Sequence, residues 1–193
     1  MLLYRMSHSV IYSCNVIICT GDFIMRPQYF FDDKYQLVSY LMEHFKNPTP
    51  LKIQKAMYFL WAFYAATYGN IDYSKESEFD EIKEYPKELF EAHFEAWRYG
   101  PVLDDVYSKY KNNDECIHQE INIEHDSMTD DVWSFIRDLV KQIDEVNDFG
   151  LVSRSHQDSA WRDVYNEGHL HTPMDNETIK EDYINYVNEQ SKI

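Results

Sequence analysis

The chain reads as a mainly α-helical protein: a compact helical domain around one buried central helix, at about residues 50–68, with at most a small β-hairpin. Three observations predict this. Residues 49–70 are apolar on most sides at helical spacing. Two later segments, 129–149 and 175–187, carry apolar side chains on one face. With only 5 Gly and 6 Pro in 193 residues, little of the chain is left for loop-rich architecture.

The central segment is TPLKIQKAMYFLWAFYAATYGN. Thr49 is placed to cap a first-turn amide, and Pro50 follows at the first helical position, where its missing N–H costs nothing. Leu51, Met57, Leu60, Trp61, Tyr64 and Tyr68 recur at helical spacing; Ile53, Ala56, Phe59 and Phe63 widen the apolar surface. Gly69 stands where a left-handed residue would close the helix. About 19 residues make a rod roughly 28 Å long, which several neighbours must cover. A membrane span is not expected. The uncharged run from Ala56 to Tyr68 is about 13 residues against the roughly 20 a bilayer needs, and Lys52, Gln54 and Lys55 precede it.

Length fits one domain with a substantial core. The 34 acidic against 18 basic residues give a net charge of −16, which disfavours phosphate contacts and hence direct nucleic-acid binding. Such a surface attracts a basic protein partner at long range, or simply keeps the protein soluble. Cys14, Cys19 and Cys116 make neither a metal-ligand nor a disulfide pattern, and an odd count fits a reducing, cytoplasmic setting.

Residues 1–24 differ from the rest. Their apolar centre is broken by Ser13 and Asn15, Arg5 is the only basic residue ahead of it, and no cleavage site follows. The expectation is a poorly ordered or over-extended N-terminus, with 25–193 forming the single domain. Asp32 and Asp33 can cap a first helix running to about Phe45, with Leu37, Val38, Leu41, Met42 and Phe45 as its stripe. Ile71 to Tyr85 reads as an acidic loop with one short helical turn. Pro86 to His93 predicts a short helix. Phe94 to Tyr99 alternates and predicts a short strand, broken by Gly100-Pro101, with Ile117 to Ile123 as a second strand to pair with it. Leu103 to Lys111 predicts a helix with Val106, Tyr107 and Tyr110 inward. Thr129 to Phe149 predicts a long helix ended by Gly150, Ser159 to Tyr165 a short one, and Asp175 caps a last helix with Ile179, Tyr183, Ile184 and Val187 inward.

Chemistry-bearing motifs are sparse. The sequence contains neither phosphate-binding glycine motif, no H-E-x-x-H and no G-x-S-x-G. His169 and His171 beside Glu167 lack a fixed third ligand, so no metal site is assigned. His156 with Asp158 has the make-up of an orienter and base, but equally of a helix-capping network. No cofactor and no catalytic residue are assigned.

The stretch Lys52-Ile53-Gln54-Lys55-Ala56-Met57-Tyr58-Phe59 resembles the K-L-Q-K-L-L-Y-F signature of the Panacea domain, the SocA-type antitoxin family. Phe94-Glu95-Ala96-Trp97-Arg98-Tyr99-Gly100-Pro101-Val102, followed by Tyr107 and Tyr110, is similar to its second signature, F-E-A-W-x-Y-G-P-V. Phe149-Gly150 with His156 and Trp161, then Gly168 and an isoleucine-containing last helix, complete a resemblance over about residues 33–188. Two departures stand out. The step from Gly150 to His156 is short, implying that a small family helix is missing. Residues 70–90 are long and acidic, as in a partner-specific insertion.

The resemblance implies an antitoxin: a small protein, often prophage-borne, that binds a cognate toxin encoded by a neighbouring gene, some members delivering it to a host protease. It implies no enzyme activity. The partner-binding candidates are Trp97, Arg98 and Tyr99, residue types enriched at binding hot spots, with Asp80, Glu81 and Glu84 of the acidic stretch and Trp161. Trp97, Tyr99 and Trp161 serve equally as core around the Gly100-Pro101 turn. Two other functions stay open on the sequence: an acidic, phage-encoded mimic of nucleic acid that inhibits a host defence protein, and a hydrolase using His156 and Asp158.

Overall fold

A computed structural model of the protein describes residues 26–73, 84–121, 126–169 and 171–191. In chain order it contains β1 (Tyr29–Phe31), α1 (Tyr35–His44), α2 (Pro50–Thr67), β2 (Glu88–Phe90), β3 (Phe94–Trp97), β4 (Gly100–Leu103) and α3 (Asp104–Lys111). There follow α4 (Ser127–Glu145), α5 (Asp148–Ser155), α6 (Ser159–Arg162), β5 (Thr172–Pro173) and α7 (Asn176–Gln190). The fold is mainly helical. Residues 1–25, and with them Cys14 and Cys19, lie outside the described residues, as do Glu76, Glu78, Asp80 and Glu81.

α2 begins as its residues dictate. Thr49 is extended, its Oγ1 accepts from Lys52 N at 3.0 Å, and Pro50 takes the first helical position. Buried side chains run along the helix from Lys52 to Ala66, broken only by Phe63, because it packs on α1, α3, α4, α5, α7, β2 and β4. Its aromatic residues keep their polar tips paired: Tyr58 Oη donates to Asp158, Trp61 Nε1 to Phe90 O and Tyr64 Oη to Pro86 O. Gly69 is not left-handed. The helix tightens into a 3-10 turn over Tyr68–Asn70 instead. What requires glycine there is closeness, since a Cβ would lie 2.6 Å from Lys87 O.

The sheets exceed a single hairpin. β1 and β2 pair in parallel, Tyr29 opposite Glu88 and Phe31 opposite Phe90, with Phe31, Leu89 and Phe90 buried. The helix expected over 86–93 is therefore a strand there: a partner some sixty residues upstream decides what an eight-residue pattern leaves ambiguous. The second sheet has the order β4-β3-β5. β3 finds an antiparallel partner directly across the turn in β4, Trp97 opposite Gly100, and not in the described part of the expected second strand, residues 117–121. Glu115–Ile117 forms a 3-10 turn, and residues 122–125 lie outside the described ones.

The long helix after residue 126 also departs from expectation. α4 opens on a capping box, Asp126 accepting from Thr129 N while Thr129 Oγ1 accepts from Asp126 N. It stops at Glu145 because Val146 turns extended and Asn147 caps a new helix, its Oδ1 accepting from Gly150 N. Gly150 thus lies inside α5, and the short step from Gly150 to His156 is itself mostly helical. α7 begins at its Asp175 cap and places Ile179 and Tyr183 in the core. Among the described residues no helix is long and apolar enough to cross a membrane.

Leu60 is fully buried at mid-α2. Leu60→Ala is expected to lower unfolding free energy by about 2–5 kcal/mol, read as a drop in urea midpoint with unchanged slope. A loss below about 1 kcal/mol would mean that the helix is not enclosed.

Candidate protein-binding cleft

The turn between β3 and β4 is two residues, Arg98 and Tyr99, followed by Gly100 at φ +91°. A left-handed glycine after two turn residues is a common hairpin solution. Here it is doubly required, because a Cβ on Gly100 would collide with Ser155 Oγ and lie 3.1 Å from Lys55 Nζ. So short a turn leaves Arg98 and Tyr99 no interior to enter, and both are exposed.

Beneath the turn the hairpin is clamped from two sides. On one, Trp161 is buried and its Nε1 donates to Trp97 O at 2.9 Å. On the other, Gln54 Nε2 donates to Leu103 O, Leu103 N donates to Gln54 Oε1, and Lys55 Nζ donates to Pro101 O at 2.5 Å. β4 is an edge strand, and these side chains of α2 supply partners for its backbone.

Between the first turns of α2 and the hairpin opens a cleft of about 490 Å³, lined by Leu51, Trp97, Arg98, Tyr99, Val102 and Tyr107. Pro50 and His171 also border it. Trp97 is held in place: its Nε1 donates to Glu95 Oε2 at 2.8 Å and its ring meets Tyr107 edge-on at 5.2 Å. Glu95 Oε2 also bonds His171 Nδ1 at 2.8 Å, and the His171 ring sits 4.5 Å from Trp97. The lining is apolar with one exposed guanidinium, that of Arg98, stacked toward Tyr99 at 5.7 Å.

Of the residues expected to bind a partner, Trp97, Arg98 and Tyr99 come together here. Trp161 does not line the cleft; it supports the hairpin from within. Glu84 adjoins Tyr85, whose ring packs on Tyr68 at the far end of α2. Asp80 and Glu81 are outside the described residues. Leu51, Val102 and Tyr107 are not among the partner candidates of the sequence, whose pattern places Tyr107 inward; it is only half-buried. The signal for Leu51 is its place one residue inside the helix start, on the first, partly exposed turn of a largely enclosed rod.

His156 and Asp158 do not combine. The His156 ring stacks on Trp161 at 3.7 Å and 5°, and its Nε2 is buried without a partner. Asp158 directs Oδ2 to the hydroxyls of Tyr58 and Tyr183 and Oδ1 to Arg154. It ties α2 to α7 and orients no imidazole. Burial, then the charge of Lys55, lowers the His156 pKa. Among the described residues no cluster of three or more His, Cys, Asp or Glu side chains is arranged to hold a metal.

The family model of the antitoxin SocA-like Panacea domain matches residues 77–162. The Panacea match runs from before β2 to the end of α6, so it contains the hairpin, Trp161 and the hairpin and α3 side of the cleft, while the α2 residues and His171 that also line it lie outside the match. It is narrower than the span of 33–188 expected from the motifs, leaving out α2 and α7. Comparison with curated proteins finds no match, and comparison with solved structures finds none either.

Lys55 is fully buried, and burial pushes its pKa down to about 7 from 10.5. Between those values the unfolded chain binds more protons, so stability rises with pH from about 7 toward 10. Lys55→Met is expected to abolish this rise, on the order of a few kcal/mol over the full window, in urea unfolding from pH 7 to 9.5. Parallel profiles for the two proteins would contradict it.

Proposed function

We propose that this protein is an antitoxin that neutralises a cognate toxin by binding it directly in the cytoplasm. The observation that carries the reading is the Panacea match over residues 77–162, the segment that builds the hairpin and its aromatic tip. Neutralisation needs a complementary surface rather than a reaction, and a tip clamped by Gln54, Lys55 and Trp161 offers one without an ordering cost on binding. The net charge of −16 favours fast encounter with a basic toxin. The same reading makes the toxin the product of a neighbouring gene, the pair prophage-borne, and the bound toxin a substrate that this chain delivers to a host protease.

Co-expression with the neighbouring gene tests it. The expected outcome is rescue of growth and a complex that co-purifies and persists at about 1 M salt, where charge attraction is screened within roughly 3 Å. Continued toxicity without a complex overturns the antitoxin reading. Dissociation at modest salt would favour a nucleic-acid mimic. A toxin half-life unchanged by this chain would remove the protease step alone.

A further inference from the structure

Exposed apolar surface concentrates at one lip of the cleft. Tyr99 is 50% and Phe149 67% exposed, their rings 6.4 Å apart, and Val146, 40% exposed, occupies the same α4–α5 corner. The polar groups around the cleft are already engaged. Thr49 Oγ1 donates to Asp148, both ends of the Gln54 amide meet Leu103, and Glu95 holds Trp97 and His171. Arg98 differs: among the described residues it has no carboxylate partner, and its guanidinium lies 5.7 Å from the Tyr99 ring.

We propose that this cleft receives an amphipathic helix of the toxin, its apolar side chains entering beside Leu51, Trp97, Tyr99 and Tyr107 while an aspartate or glutamate of that helix pairs with Arg98. The proposal rests on the antitoxin reading above. Two observations select a helix with a carboxylate. First, strand addition is closed at β4: Pro101 has no N–H, its carbonyl is taken by Lys55, and Leu103 gives both backbone groups to Gln54. A helix satisfies its own backbone and asks the cleft only for side-chain contacts. Second, charge at the cleft runs opposite to charge overall. An unpaired guanidinium covered by apolar surface is costly unless a carboxylate meets it, whereas a lysine placed there would be repelled. The acidic remainder draws a basic toxin in, and Arg98 then fixes its register. A second copy of this chain would bring like net charge against −16, which disfavours it as occupant.

The test uses the full chain and the full-length product of the neighbouring gene. A benzophenone amino acid at position 99 is expected to cross-link to a helix of that protein. Arg98→Glu is expected to weaken binding about tenfold or more, and Leu51→Glu about 30-fold or more. Reversing the acidic residue of the cross-linked helix to Arg should restore binding to Arg98→Glu. Should Leu51→Glu fail to fold, Arg98→Glu still decides, since Arg98 holds no other element in place. Wild-type affinity in Arg98→Glu overturns the cleft while leaving the antitoxin reading intact. Cross-links to a strand or loop of the toxin, or to a second copy of this chain, overturn it likewise. No binding by the wild-type chain overturns both.

Discussion

Gln54 and Lys55 project from a largely apolar helix, and both end on the backbone of β4. Much else follows from that latch. A four-residue edge strand with a proline in it is a weak element by itself, yet here its unpaired groups are met by side chains anchored in the core. Burying an ammonium is expensive; that burial lowers the Lys55 pKa to about 7, and the amine is given a carbonyl to donate to. Gly100 completes the arrangement, because only a residue without a Cβ lets the turn close over Lys55 and Ser155.

A second tie operates further along the same rod. Asp158 gathers the hydroxyls of Tyr58 and Tyr183 and the guanidinium of Arg154, joining α2, α5 and α7 around one carboxylate. Tyr183 is enclosed by Tyr58 and Phe63 at 6.0 and 4.7 Å. The helices are therefore fixed by polar contacts at the centre and by aromatic packing around them, and the hairpin tip inherits that rigidity. A surface held this way can present Tyr99 and Arg98 in one geometry.

Much of this was legible in the residues. Thr49 and Pro50 announce the start of α2, Asp175 that of α7, and the alternation of Phe94 to Trp97 gives β3, all because the signal is local. Where the partner is remote the signal fails. Residues 86–93 look helical until Tyr29–Phe31 arrives to pair with them, and Gly150 looks like a stop until Asn147 is seen capping the helix that contains it. In the cleft, Trp97, Arg98 and Tyr99 were identified from one contiguous motif. Leu51, Val102 and Tyr107 come from three elements, and no spacing brings them together. The latch was half visible: a lysine and a glutamine entering an apolar run are a buried-polar signal, but their acceptors lie nearly fifty residues away.

Amide hydrogen exchange of Leu103 measures the latch directly, because its N–H is given to Gln54 Oε1 at 2.8 Å inside the protein. If α2 fixes the hairpin, this amide exchanges only through global opening, with a free energy equal to that from denaturant unfolding. Exchange near the rate of an exposed loop amide under native conditions would show that the edge strand is free of α2 and that the tip is not rigidly presented.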